Sequence, residues 1–188
     1  MIHLQTPLTS DKLTNLKSGD QVLLSGTIYT GRDAAHARLV KLIDNNEELP
    51  FDIKDATIFY VGPTPTKPGE VFGSGGPTTS YRMDSFAPKL ISLGLKTMIG
   101  KGDRSQEVKD AIVKYQGVYF GAIGGTGALI GNCVLSSTVI AFEDLGPEAI
   151  RRLEVKDMPL VVINDTYGND QYQSGKKQYL EFKEKNKC

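Results

Sequence analysis

Apolar and polar positions alternate with two different periods along this chain. Residues 21–29, Q-V-L-L-S-G-T-I-Y, read as a strand interrupted at Gly26. Residues 56–61, A-T-I-F-Y-V, form a short apolar run that fits a fully buried strand. Residues 2–5, 96–100, 118–122, 138–142, 151–155 and 160–163 are further strand expectations. A 3.6-residue period appears between them. Ala35, Leu39, Leu42 and Ile43 predict a helix from about Arg32 to Asn45. Val108, Ile112 and Tyr115 share one face of a helix over 105–115, with Ser105 as its cap. Shorter helices are expected after Thr9 or Ser10, over 88–93 and over 128–135. Strands alternating with helices predict an α/β layered domain, a single unit over 1–188 ending in a polar helix or tail at about 173–188.

Residues 73–86, G-S-G-G-P-T-T-S-Y-R-M-D-S-F, stand at the centre of this pattern. Gly73, Gly75 and Gly76 suit a tight turn or close approach to the main chain. Pro77 suits the first position of a helix. A helix starting there puts Thr78 and Thr79 in its first turn, where free N–H groups and the dipole favour an anion. Thr78 and Arg82 then share a face, and Thr79, Met83 and Phe86 read as core. Two readings stand together: a carboxylate or phosphate site, and a Gly-Pro turn into an ordinary amphipathic helix. Arg32 falls in the first turn of its own helix, a mildly unfavourable place for a cation that an anionic ligand or partner would offset. Asp33 beside it is ordinary first-turn chemistry. His36, one turn on, either orients Arg32 or a ligand, or is a packed helix histidine. Lys101 lies between Gly100 and Gly102 at a strand end, exposed for an anion or simply in a turn. Residues 62–69, with three prolines, form a stiff loop.

Charge narrows the function classes. Lys plus Arg and Asp plus Glu are each 22, so the net charge is zero, against a general nucleic-acid or membrane surface. Glycine is 20 of 188 residues, above the average of about 7%, and clusters in loops. The two cysteines, Cys133 and Cys188, form no C-x-x-C and are too few to hold a four-iron cluster. The N-terminal M-I-H-L-Q-T-P-L-T lacks a basic region followed by an apolar run, so no secretory signal is expected and a cytoplasmic location follows. The uncharged run 117–142 has the length of a membrane span, but its glycines and polar residues read instead as strand, glycine loop, short helix and strand. That unit resembles a dinucleotide-binding motif, yet Ile130 stands where the third glycine belongs. The phosphate-binding G-x-x-x-x-G-K-[ST] fails near Lys101, and a histidine-based triad has few candidates with His3 and His36 alone.

Five motifs occur in order: G-R-D-A-A-H at 31–36, Y-V-G-P-T-P at 60–65, S-G-G-P-T-T-S-Y-R-M-D at 74–84, I-G-K-G at 99–102 and E-D-L-G-P-E-A-I at 143–150. Together they resemble the β subunit, or C-terminal domain, of the iron–sulfur class I fumarate hydratases and the related tartrate dehydratases. The proline loop and the E-D-L-G-P-E stretch look more like the fumarase branch. The resemblance implies a layered, swivelling β/β/α domain with a mixed sheet. It also implies an α subunit, in a heterodimer or α2β2 assembly, that carries the [4Fe–4S] cluster and supplies the general acid. By motif, Thr78 would be the catalytic base, and Arg32, Arg82 and Lys101 would bind a small dicarboxylate. Gly76, Thr79, Asp33 and His36 would flank them. No metal ligand is implied in this chain. The resemblance departs at 124–127, where this chain has Gly-Gly-Thr-Gly and members of the family usually carry Gly-Gly-Ala-Ala. Two other functions remain open at this point: a tartrate dehydratase β subunit, and a stand-alone dicarboxylate- or nucleotide-binding domain.

Overall fold

A computed structural model describes residues 1–123 and 125–185. Gly124 of the third glycine loop and Cys188 lie outside the described residues. In chain order the elements are β1 (Ile2–Gln5), α1 (Ser10–Leu13), β2 (Gln21–Thr30), α2 (Asp33–Asp44), β3 (Thr57–Phe59), a 3-10 turn (Ser80–Met83), α3 (Ala87–Ser92), β4 (Thr97–Gly100), α4 (Gln106–Tyr115), β5 (Val118–Gly121), α5 (Gly127–Asn132), β6 (Val134–Ala141), a second 3-10 segment (Glu143–Glu148), β7 (Ile150–Asn164) and α6 (Gln171–Lys185).

The strands form one mixed seven-stranded sheet in the order β1-β2-β3-β4-β5-β7-β6. β1 to β5 run parallel to their neighbours, and β7 is antiparallel to β2, β5 and β6. Because β2 also pairs with β7, the pairings β2–β3–β4–β5–β7–β2 close on themselves. Side chains alternate across each strand, and two cores result. Phe59, Val61, Ile99, Val118 and Phe120 point to one face, with Leu13 of α1 and Ile130 of α5. Ile58, Tyr60, Met98 and Tyr119 point to the other, with Leu39 of α2, Leu90 of α3 and Ile112 of α4. No helix among the described residues is long and apolar enough to cross a membrane.

The structure departs from the sequence reading in three places. The strands expected at 151–155 and 160–163 are one 15-residue strand, β7. Asp157 takes a positive φ of 50° within it. Pro159 lies between Val155, where pairing with β6 ends, and Val161, where pairing with β5 begins. No strand pairs on that side there, so the missing N–H costs nothing. β6 starts at Val134, four residues earlier than expected, and α5 ends at Asn132. The third departure concerns the central stretch: no helix begins at Pro77. Pro77 instead bridges to Val61 and Thr79 to Lys101, so 77–79 run extended beside the ends of β3 and β4. The sheet offers this segment backbone partners that outweigh the helix-start preference of Pro77.

Candidate functional site

In parallel strand arrangements, open or closed into a barrel, ligands bind beyond the carboxyl ends of the strands. Arg32 follows β2 at that edge, 60–62 follow β3, and Lys101 follows β4. Residues 77–79 are laid between the last two. Thr78 is fixed through its main chain: its N–H donates to the Tyr60 carbonyl at 2.6 Å, and its carbonyl accepts from the Lys101 N–H at 3.3 Å. The Thr78 N–H is therefore not free for an anion, and the helix-dipole argument for Thr78 and Thr79 does not apply. Thr78 and Thr79 are half-buried, and Lys101 is exposed. Thr79 lies against the Lys101–Gly102 turn, its methyl 3.4 Å from where a Gly102 Cβ would be.

Glycines make this close layering possible. A Cβ on Gly100 would meet Ser80 Oγ at 2.0 Å. A Cβ on Gly131 would meet the Gly73 carbonyl at 2.7 Å, and the Gly75 N–H donates to the Gly127 carbonyl at 2.9 Å. α5 thus rests directly on the strap that leads to Thr78. Gly73 and Gly75 serve backbone packing. Gly76 is different: it is exposed, with nothing within 4 Å of a Cβ built there.

The cations are joined by carboxylates. Arg82, on the 3-10 turn four residues after Thr78, donates through Nη2 to Asp33 Oδ2 at 2.7 Å. Asp33 Oδ1 lies 3.9 Å from Arg32 Nε. Burial pushes the Asp33 carboxyl up, but its own backbone N–H and the Arg82 guanidinium outweigh this and hold it below its ordinary value. Arg32 Nη2 reaches Glu148 Oε1 at 3.3 Å, while Arg32 Nε is buried without a hydrogen-bond partner. An exposed Arg38–Asp144 pair, at 2.7 and 2.5 Å, ties α2 to the 3-10 segment that carries Glu148. His36 is fully buried and packs edge-on against Tyr60. Its Nδ1 lies 2.8 Å from the Arg32 carbonyl, an acceptor, so Nδ1–H is the donor and the ring braces the backbone at Arg32. Burial lowers its pKa to about 4, against the opposing pull of that carbonyl, so the ring is neutral near pH 7.

Beneath the site lies a buried polar network. Ser80 Oγ meets Tyr119 OH at 2.8 Å, and Tyr119 OH donates to the Gly102 carbonyl at 2.9 Å. Arg104, fully buried, donates through Nε to Asp84 Oδ1 at 2.7 Å and stacks its cation over Tyr60 and Tyr119. Asp84 Oδ2 accepts from the Ser105 N–H at 2.5 Å. The turn bearing Arg82 is thereby locked to the segment 101–105.

Of the residues expected from sequence, Arg32, Asp33 and Arg82 form one ion-paired chain, and Thr78, Thr79 and Lys101 are joined by backbone pairing. His36 is a brace below Arg32. Sequence reasoning missed Glu148, Gly62 and the Arg104–Asp84 pair; Gly62 and Glu148 lay inside two of the five motifs, but neither has a spacing relation to Arg32. Among the described residues, no group of three or more His, Cys, Asp or Glu could hold a metal ion. With two cysteines in the sequence and Cys133 bonded weakly to the Leu129 carbonyl at 3.4 Å, the side chains present do not fit a four-iron cluster.

The family model described as Fumarase C-terminus matches residues 1–175. This chain belongs to that family. Among its relatives in the Fumarase C-terminus family, the aerobic class I fumarate hydratase of Escherichia coli K12 is 43% identical over 164 residues, covering 86% of this chain and 30% of that protein. Fumarate hydratase 2 of Leishmania major is 39% identical over 175 residues, 91% of this chain and 31% of its own length. The chain thus spans about a third of the fumarate hydratases it matches. The Methanocaldococcus jannaschii protein named "Putative L(+)-tartrate dehydratase subunit beta" is 38% identical over 180 residues, covering 93% of this chain and 92% of that one. The same Fumarase C-terminus unit therefore occurs both within long chains and as a protein of this size.

Proposed function

We propose that this chain is the β subunit of an iron–sulfur hydro-lyase that interconverts fumarate and malate, with its site completed by an α subunit that carries the [4Fe–4S] cluster. What supports this reading is membership of the Fumarase C-terminus family, together with the placing of Arg32 after β2, Lys101 after β4 and Thr78 beside Lys101, with Arg82 held to Asp33 next to Arg32. When bound by the partner, the cluster supplies Lewis acidity toward the substrate hydroxyl. Arg32, Arg82 and Lys101 bind the two carboxylates, where a charge-assisted hydrogen bond contributes about 1.5–3 kcal/mol. Thr78, held by its backbone, presents its hydroxyl for proton transfer at the carbon beside a carboxylate. A threonine hydroxyl is a poor base in water, and the neighbouring cations are what favour its deprotonated form. Asp33 and Glu148 already neutralise part of the charge of Arg32 and Arg82. A dianion therefore competes with Asp33 for Arg82 or gains further cations from the α subunit. The exposed, apolar Ile123 and Leu129, before and on α5, suit contact with that subunit. In such an assembly the domain swivels as a layered β/β/α body against its cytoplasmic partner. Tartrate is the second substrate class, favoured by the near-complete coverage of the M. jannaschii relative.

The test is anaerobic fumarate hydration by the chain alone and mixed with a cluster-loaded α subunit. Activity in the mixture and none with the chain alone is expected. In the mixture Arg82→Ala lowers kcat/KM by about 10²-fold, roughly 3 kcal/mol. Thr78→Ala lowers kcat more than it raises KM. Normal activity of Arg82→Ala removes Arg82 from the site, and a pure KM effect of Thr78→Ala leaves Thr78 as a binding group. A complex inactive on fumarate shifts the assignment to tartrate, and the absence of any complex refutes the two-subunit reading.

A further inference from the structure

Arg32 is held by two residues from distant parts of the chain. On one side, Glu148 spans the start of α2: its Oε1 is 3.3 Å from Arg32 Nη2, and its Oε2 accepts from the Ala34 N–H at 3.4 Å. On the other side the arginine lies flat on Gly62. A Cβ built on Gly62 would stand 2.9 Å from Arg32 Nη1 and 3.2 Å from Cδ. Gly62 has no positive φ, so its backbone does not demand glycine; the arginine lying across it does. The same hypothetical Cβ is 3.3 Å from the Pro147 carbonyl, so the slot has two walls. Within it Arg32 Nε is buried and lacks an acceptor. A guanidinium offers five donors in a rigid fork. With one nitrogen on Glu148 and the chain pressed on Gly62, its remaining donors have a fixed direction.

We propose that Glu148 and Gly62 are positioning residues that aim the Arg32 guanidinium, so that it meets a substrate carboxylate already oriented. The inference rests on the reading of Arg32 as a carboxylate ligand. It also fixes a sign. An acid that merely sits near an anion site weakens binding by repulsion, and removing it tightens binding. An acid that aims the arginine strengthens binding, and removing it weakens binding. Misplacing a binding group by about 1 Å can cost up to about a hundredfold.

In the assembled enzyme, Glu148→Ala is expected to raise the KM for the dicarboxylate about tenfold, with kcat within about twofold. Glu148→Gln, which keeps an acceptor oxygen, falls between wild type and alanine. Gly62→Ala raises KM like Glu148→Ala. In an Arg32→Ala background neither change adds to the defect, which a general loss of structure would do. An unchanged or lowered KM in Glu148→Ala overturns the proposal. A second measurement uses the chain alone, with 15N-labelled arginine and the Arg32 Nε–H signal identified by its loss in Arg32→Lys. That signal is expected to be slow to exchange in wild type, and to move toward the solvated arginine position in Glu148→Ala and Gly62→Ala. If it stays in place in both, the positioning role is refuted. A wild-type assembly that acts on no dicarboxylate refutes the reading of Arg32 as a ligand, while the arginine signal still decides whether Glu148 and Gly62 hold it.

Discussion

Removing the carboxylate of Asp84 should unfold more of this protein than its half-buried position suggests. Asp84 is the anionic partner of Arg104, whose side chain has 0% exposure. Burial works against the guanidinium charge, and Tyr60 and Asp84 outweigh it, so the arginine stays charged. Asp84→Ala leaves that cation with two aromatic faces, at 5.4 and 4.9 Å, the Tyr60 hydroxyl at 3.5 Å and a thioether at 3.6 Å as its compensation. It also takes the acceptor from the Ser105 N–H, at the cap of α4. Breaking a buried pair from one side costs about 3–5 kcal/mol. For a chain of this size each kcal/mol lowers Tm by about 2–4 °C, so the expected loss is roughly 6–20 °C. Urea unfolding followed by circular dichroism measures it. The double variant Asp84→Ala/Arg104→Met should be more stable than Asp84→Ala alone, because the orphaned charge is gone. A loss below about 1 kcal/mol in Asp84→Ala, or a double variant no better than the single, would refute the argument that the pair is a closed, desolvated unit. The functional corollary is that Asp84→Ala loosens the turn bearing Arg82.

His36 gives a pH signature. Its folded pKa of about 4 lies below the ordinary 6.5, so between those values the unfolded state binds more protons and stability falls as pH drops. The loss reaches on the order of 3 kcal/mol across the window. Urea midpoints at pH 7 and 4.5 for wild type and His36→Gln should differ in slope, and equal slopes would show that His36 is not buried neutral. The glycines divide in two. Gly131→Ala forces a methyl to 2.7 Å from the Gly73 carbonyl and should cost about 1–3 kcal/mol in the same assay. Gly76→Ala meets nothing within 4 Å and should leave stability unchanged while lowering the activity of the assembled enzyme, and normal activity would separate Gly76 from the site.

The elements with a strong period were legible in the sequence. The apolar runs became β3, β4 and β5, the spacing of Ala35 and Leu39 became α2, and Ser105 caps α4 by accepting from the Val108 N–H. What was not legible depends on neighbours distant in the chain. Pro77 and Thr78 carry a helix-start pattern, but Val61 and Lys101 supply backbone partners that no local window contains. The single strand β7 over Pro159 depends on the gap between β6 and β5, which no local window contains. The candidate residues Arg32, Thr78, Arg82 and Lys101 could be named from the sequence because each belongs to a motif. Its wiring was not, since Glu148 is 116 positions from Arg32 and the Ser80–Tyr119 contact spans 39.

The pairing of β2 with β7 sets the order in which this body can form. Gln21 pairs with Val161 and Tyr29 with Arg152, so the ring of strands stays open until almost the whole described chain exists. Contacts this far apart in sequence are slow to make, because the loop entropy is lost before the pairing energy is gained. During synthesis β2, β3, β4 and β5 emerge first with the edges that β7 will cover still bare. Such edges invite pairing with other chains. The Leu153 and Val155 side chains that complete the inner core arrive with the same strand. A chain stopped before Ile150 would lack a wall of its own core, and a ribosome-bound chain should become protease-resistant in a single late step rather than strand by strand.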